Sequence, residues 1–228
     1  MGRLLFGVGL ALAAFGPPGR AEAGAWPAPK EGQEILTSTA GKRNGHTTFE
    51  SSAYWEAPVG ENTSLLIAPW SESASDLESG WRGEAVVGLK RAVFRDDNHV
   101  MAVQAGVYWR SDPPADCGEG GVEARWLGGR SFGSGGFVNL EVAARVLDEG
   151  CPAGRLNLSV GVRPRENWLA MGEIFYDAPE EGDESLKLQL SLVRFGDDDR
   201  GIQVGVRTRL DGDEETSLVL GFWGRPGG

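Results

Sequence analysis

Between Arg155 and Arg163 apolar and polar residues alternate without exception: Leu156, Leu158, Val160 and Val162 stand against Arg155, Asn157, Ser159, Gly161 and Arg163. A strand sends successive side chains to opposite faces, so this segment is a β-strand with one apolar and one polar side. The pattern recurs in Leu186, Leu188, Leu190 and Leu192 against Lys187, Gln189 and Ser191, and in Ile202, Val204 and Val206 against Gln203, Gly205 and Arg207. Val138, Leu140, Val142, Ala144 and Val146 oppose Asn139, Glu141 and Arg145 in a further copy. No segment with a 3.6-residue period competes with these.

Read in this way, the chain divides into about twelve strands, near 32–40, 46–57, 62–72, 79–95, 98–110, 120–131, 135–147, 154–163, 167–178, 184–196, 199–211 and 213–223. Most are longer than the roughly 5–6 residues usual in soluble sheets and suit a tilted crossing of a bilayer. The connections alternate in character. Val59 to Asn62, Arg95 to Asn98, Phe132 to Gly135, Pro164 to Asn167 and Gly196 to Asp199 are tight. Those near Glu72 to Glu78, Ser111 to Glu119, Asp148 to Gly154, Pro179 to Asp183 and Asp211 to Glu214 are mostly longer or more acidic. Short turns on one side and long loops on the other predict an antiparallel up-and-down transmembrane β-barrel, all-β, with the tight turns facing the periplasm. A soluble periplasmic β-sandwich that binds a ligand is the alternative reading of the same alternation.

The chain opens with one basic residue, Arg3, then an apolar run from Leu4 to Phe15 and the small-x-small triplet Ala21-Glu22-Ala23. These are the parts of a signal peptide cleaved before Gly24, which leaves residues 24–228 as one barrel domain. No later stretch reaches the ~18 consecutive apolar residues of a membrane helix. A formal net charge of −11 argues against nucleic-acid binding, which needs concentrated cations. Cys117 and Cys151, the chain's two cysteines, fall in neighbouring loops on one side of the predicted membrane, so an exported chain can join them as a disulfide.

With the apolar face toward lipid, the polar face lines the lumen. It carries Glu50, Glu56, Arg82, Glu84, Lys90, Glu123, Arg125, Glu141, Arg145, Arg155, Arg163, Glu173, Lys187, Arg207 and Arg209. Buried charges must pair, so ion-pair networks are expected there, with the acids mainly on early strands and the bases mainly on late ones. Trp55, Trp81, Trp109, Trp168, Phe175, Phe222 and Trp223 stand toward strand ends, as an aromatic belt would. Outer-membrane lipid, lipopolysaccharide and the barrel-insertion machinery are the partners this architecture implies.

Catalytic chemistry finds little footing. His46 and His99 sit at opposite ends of the predicted barrel and cannot share a site. His46, near Asn44, Thr47 and Thr48, is the single candidate base at the outer leaflet, and a lipid-modifying enzyme would need a Ser or Thr within its reach. No G-x-S-x-G, phosphate-binding loop or metal-ligand spacing is present, so no catalytic residue, metal or cofactor is assigned. Asp197-Asp198-Asp199 and Glu180-Glu181 read as solvated turns rather than calcium sites.

Gly24-Ala25-Trp26-Pro27, the hairpin from Tyr54 to Trp70 around Val59-Gly60-Glu61-Asn62, and the segment from Gly88 to Val107 around Arg95-Asp96-Asp97-Asn98 together resemble the XagA-like family of proteobacterial exported proteins. The likeness covers most of residues 24–228. It implies an outer-membrane or surface-associated β-protein connected with exopolysaccharide production or autoaggregation, with polysaccharide as a partner. In one respect the chain departs from barrel habit, because Phe222-Trp223 is followed by five more residues rather than ending on the aromatic.

Overall fold

The computed structural model describes residues 24–225 except 78, 134, 180, 181 and 197–199. The signal-peptide expectation, both acidic clusters and the tip of the C-terminal tail lie outside the described residues. Twelve strands follow one another: β1 (Gln33–Arg43), β2 (His46–Pro58), β3 (Thr63–Ala74), β4 (Trp81–Arg95), β5 (His99–Arg110), β6 (Gly120–Phe132), β7 (Gly136–Leu147), β8 (Pro152–Arg165), β9 (Trp168–Ala178), β10 (Ser185–Phe195), β11 (Gly201–Arg209) and β12 (Glu215–Gly224). Each pairs antiparallel with its sequence neighbours. The ring closes where β1 meets β12, from Glu34 opposite Gly224 to Arg43 opposite Glu215.

Closure matters because a sheet edge inside hydrocarbon would leave backbone N–H and C=O groups without water or partner. The faces are assigned by exposure. Val107, Leu190, Leu218 and Leu220 lie on the outside, each 59–67% exposed, whereas Glu72, Glu123 and Gln189 on the other face are buried. Apolar side chains outside and polar ones inside are the reverse of a soluble protein, and this overturns the β-sandwich reading.

At the long-loop end some strands run further than the pattern suggested and others stop short. β1 continues to Arg43 and β3 to Ala74, which puts Glu72, read as the boundary of strand and loop, within the strand, whereas β11 ends at Arg209 and β12 begins at Glu215. The β1–β2 connection on this side is a two-residue turn, Asn44-Gly45. Both residues have positive φ, 49° and 83°, and that geometry matches the twist of the flanking strands. At the opposite end, register shifts in β4–β5 between Ala92 and Phe94, and in β8–β9 between Val162 and Arg165, bend the strands near the tight turns. The Arg95–His99 turn is fastened by Asp96, whose carboxylate accepts N–H bonds from Asn98 (2.8 Å) and His99 (2.7 Å). These two bonds, with the His99 ring beside them, hold its pKa below the ordinary aspartate range.

Trp81 and Trp109 face outward near the long loops, Trp55, Trp168, Phe94, Phe132 and Phe222 near the tight turns, and Trp126 at the middle of β6. Two members of the expected belt do not belong to it. Phe175 lies inside beneath the Arg207 guanidinium, and Trp223 points inward onto Phe195 and donates to Gln203. Strand parity decides this, since each shares its face with lumen residues rather than with the apolar set.

The Cys117–Cys151 disulfide is present, with Cα atoms 5.9 Å apart. It joins the loop after β5 to the loop after β7 and packs against Leu66, Val86, Tyr108 and Leu147, which face inward beneath it. It encloses a long loop, so by chain entropy alone it stabilises the barrel by up to about 3–4 kcal/mol.

A Leu190→Arg substitution, placed at the middle of the lipid-facing side, is expected to destabilise the vesicle-inserted protein by about 2–4 kcal/mol in urea titrations. A soluble protein with Leu190 on its water-facing surface would show almost no change.

Candidate functional site in the barrel lumen

Ion pairs that join strands not adjacent in the sheet can form only across the interior, and several do. Glu84 on β4 accepts from Arg145 on β7 at 3.0 Å and from Arg155 on β8 at 2.8 Å. Glu50 on β2 accepts from Arg207 on β11 at 2.9 Å and lies 3.6 Å from Lys187 on β10, which also reaches Glu215 on β12 at 2.8 Å. Shorter-range pairs complete the set. Glu123 holds Arg145 and Arg125, Arg125 reaches on to Glu141, and Arg155 meets Asp177. Arg43 and Arg82 both grip Glu72, and Arg209 lies against Asp211 and Asp213.

Most of these groups occupy the half of the lumen that opens toward the long loops. Aromatic rings floor several of them: Arg145 lies 4.2 Å over Tyr108, Arg207 lies 5.1 Å over Phe175, and Arg82 lies 5.4 Å over Trp70. The fixed cations are thus held by a carboxylate on one side and a π-face on the other, which costs less desolvation than an isolated buried charge. The expected separation of acids on early strands from bases on late strands takes the form of direct bonds across the barrel.

The residues read from the sequence as one charged lining divide into separate groups. Glu56 and Lys90 pair at 2.6 Å in the other half of the barrel, joined by Gln33 and Tyr54. Arg163 sits at the tight-turn rim, over the Phe195 ring and donating to the Glu166 carbonyl. Glu173 accepts from Gln189, which in turn accepts from Arg207. Glu72, Asp177, Glu215 and Arg43 belong to the lining and were not singled out. Arg43 fell between predicted strands and Glu72, Asp177 and Glu215 toward the ends of predicted strands, and the rule that every buried charge needs a partner would have flagged them.

Apart from the Glu56–Lys90 pair and its neighbours, the half of the lumen nearer the tight turns is largely apolar. Phe137, Leu169, Met171 and Val193 form one cluster, with Phe195 and Trp223 against it, and Val100, Ala102, Leu127 and Ala25 form another. Trp26 packs against both. The segment preceding β1 has therefore turned back into the barrel and crosses its interior. Ala25 is fully buried and its N–H donates to Asn139 Oδ1 at 3.0 Å. Lys90 Nζ donates to the carbonyls of Gly24 (2.9 Å) and Trp26 (2.8 Å), and the Ala28 N–H reaches Glu56. The wall is shaped for this occupant: Gly129 lies beneath the Trp26 ring, where any Cβ would collide with it. Gly24-Ala25-Trp26-Pro27 had stood out in the sequence only as a resemblance, because nothing in its composition shows that it is buried.

The enzymatic alternative meets its first condition. Ser75 Oγ lies 3.3 Å from His46 Nδ1, both exposed at the long-loop rim. The neighbouring carboxylate, Asp76, is committed to Arg43 through two bonds of 3.1 Å. Among the described residues no further hydrogen bond to the imidazole is formed. Nor, among the described residues, is any group of three or more His, Cys, Asp or Glu placed to hold a metal ion.

No protein-family model matches the sequence, and no curated protein matches it. Solved structures share its fold. An outer membrane channel from Pseudomonas putida F1 superposes with a TM-score of 0.61 at 11% identity, covering 92% of this chain and 99% of that one. The KdgM porin in complex with disordered oligogalacturonate gives 0.60 at 8% identity, over 83% of this chain and 97% of the porin. The translocator domain of the autotransporter NalP from Neisseria meningitidis gives 0.51 at 13%, over 84% and 87%. All are outer-membrane barrels, and the shared property is the closed antiparallel architecture.

Replacing Glu123 by Ala strips two buried guanidinium groups of a partner and is expected to cost about 3–5 kcal/mol in urea unfolding. Combining it with Arg145→Ala should cost clearly less than the sum of the two single changes. Simple additivity would show that the pair does not interact.

Proposed function

We propose that the chain is a non-enzymatic outer-membrane barrel of a Gram-negative envelope, exported by a cleaved signal peptide, that acts as a narrow pore for small charged solutes. The observation that carries this reading is the lining of the loop-side lumen. Fixed charges of both signs meet across the interior there, so the same groups that brace the wall set a charged lining along which small ions of either sign find partners. The long-loop end faces outward from the cell in this reading, so solute reaches the charged half first. Acidic positions in the loops, such as Asp112, Asp116 and Asp148, are suited to sharing divalent cations with lipopolysaccharide.

Two features support carbohydrate as the solute class. The KdgM porin of like fold is described with an oligogalacturonate, a chain of sugar acids, and rings beneath fixed guanidiniums, as at Arg207–Phe175, suit the faces and acid groups of sugars. The resemblance to XagA-like proteins adds a connection with exopolysaccharide at the cell surface to the same proposal.

Single-channel recording of the purified protein in planar bilayers tests it. Small steps, well below those of a sixteen-stranded porin, are expected under applied voltage. Absence of steps at every voltage, from protein that shows the folded gel shift, would sink the pore reading.

A further inference from the structure

The segment from Gly24 to Gly32 enters the lumen with Gly24 to Ala28, while Lys30 and Glu31 are exposed; it belongs to no strand, and among the described residues it forms no ladder with the wall. Its own internal bond is the one from the Gly32 N–H to the Pro29 carbonyl. We propose that this segment is a displaceable plug, seated in the tight-turn half of the barrel and able to leave it without disturbing the sheet. The inference goes beyond the pore reading, since a plug can seat and unseat whatever solute the barrel passes.

The seat is built for one occupant. The indole of Trp26 bridges the two apolar clusters, fills the space kept by Gly129 and meets Phe137 edge-on with centroids 6.4 Å apart. Lys90, 2% exposed, is neutralised by Glu56 and spends its other two protons on the carbonyls of Gly24 and Trp26. Asn139, also buried, accepts from the Ala25 N–H and donates to Glu141, which ties the plug to the edge of the charged half.

The same inventory shows why the plug can be released. Pro27 and Pro29 carry no N–H, so within 25–29 the segment has few donors to leave unsatisfied when it moves. Two of them, at Ala25 and Ala28, are held by side chains rather than by the backbone ladder. When the segment departs, Lys90 and Glu56 keep each other, and water can take the vacated carbonyls. Nine residues tethered at Gln33 reach about 30 Å when extended, enough to swing clear of the tight-turn mouth.

Thiol labelling reads the seat directly, because both native cysteines are tied in the disulfide. In an Ala102→Cys protein, inserted in vesicles and verified by its gel shift, the new thiol lies beneath Ala25 in the apolar cluster. A small maleimide should label it slowly but measurably. Adding Trp26→Ala, or in a second variant Ala25→Glu, should raise the rate at least tenfold with the gel shift retained. Equal rates with and without these changes would show that the segment is not seated. If the intact segment gave no labelling over the time in which the Ala25→Glu protein reacts to completion, the segment would be a fixed filler and the plug reading would fall. Neither rate depends on conductance, so a protein that labels as expected but passes no current would refute the pore and keep the plug.

Discussion

A backbone group inside hydrocarbon has no water to turn to, and the rest of this structure follows from that constraint. It requires each strand to be paired on both edges, so the last must find the first, and Glu34 to Arg43 of β1 zip onto Gly224 to Glu215 of β12. Closure in turn creates an inside. With apolar side chains already committed to lipid by the two-residue period, the interior receives the polar residues, and their charges are then forced to find one another. The ion pairs from β4 to β8 and from β11 to β2 are the consequence of that enclosure.

The fold was largely legible because its governing period is local. A strand such as Arg155 to Arg163 declares its two faces without reference to anything distant, and the alternation of tight and long connections adds the direction. The cysteines were readable for the same reason, since placing them in neighbouring same-side loops needed only a correct count of the strands between. Strand ends were less legible. Arg43 projects beyond the apolar band, where alternation gives way to polar residues on both faces, and a strand there looks like a loop. Phe175 and Trp223 show the converse: proximity to a strand end suggested the belt, but parity placed them inside.

The interior was legible as a list and not as an arrangement. Which carboxylate meets which guanidinium depends on contacts between residues such as Glu50 and Arg207, 157 positions apart and related only through the closed ring. The buried N-terminal segment was the least legible part. Nothing in Ala25-Trp26-Pro27 has a period, and its fate is decided by a space between walls contributed by β4, β5, β6, β7, β9 and β10. Two kinds of interior result, a charged one toward the long loops and a largely apolar one, holding the Glu56–Lys90 pair, toward the tight turns, with Asn139 and Glu141 at their junction.

Polarised infrared spectroscopy of the protein in oriented bilayers tests the central claim, that twelve closed strands cross the membrane. The account predicts an amide I dichroism corresponding to strands tilted about 35–45° from the membrane normal. Strands lying in the membrane plane, or an isotropic signal from protein that does not stay with the lipid, would contradict it.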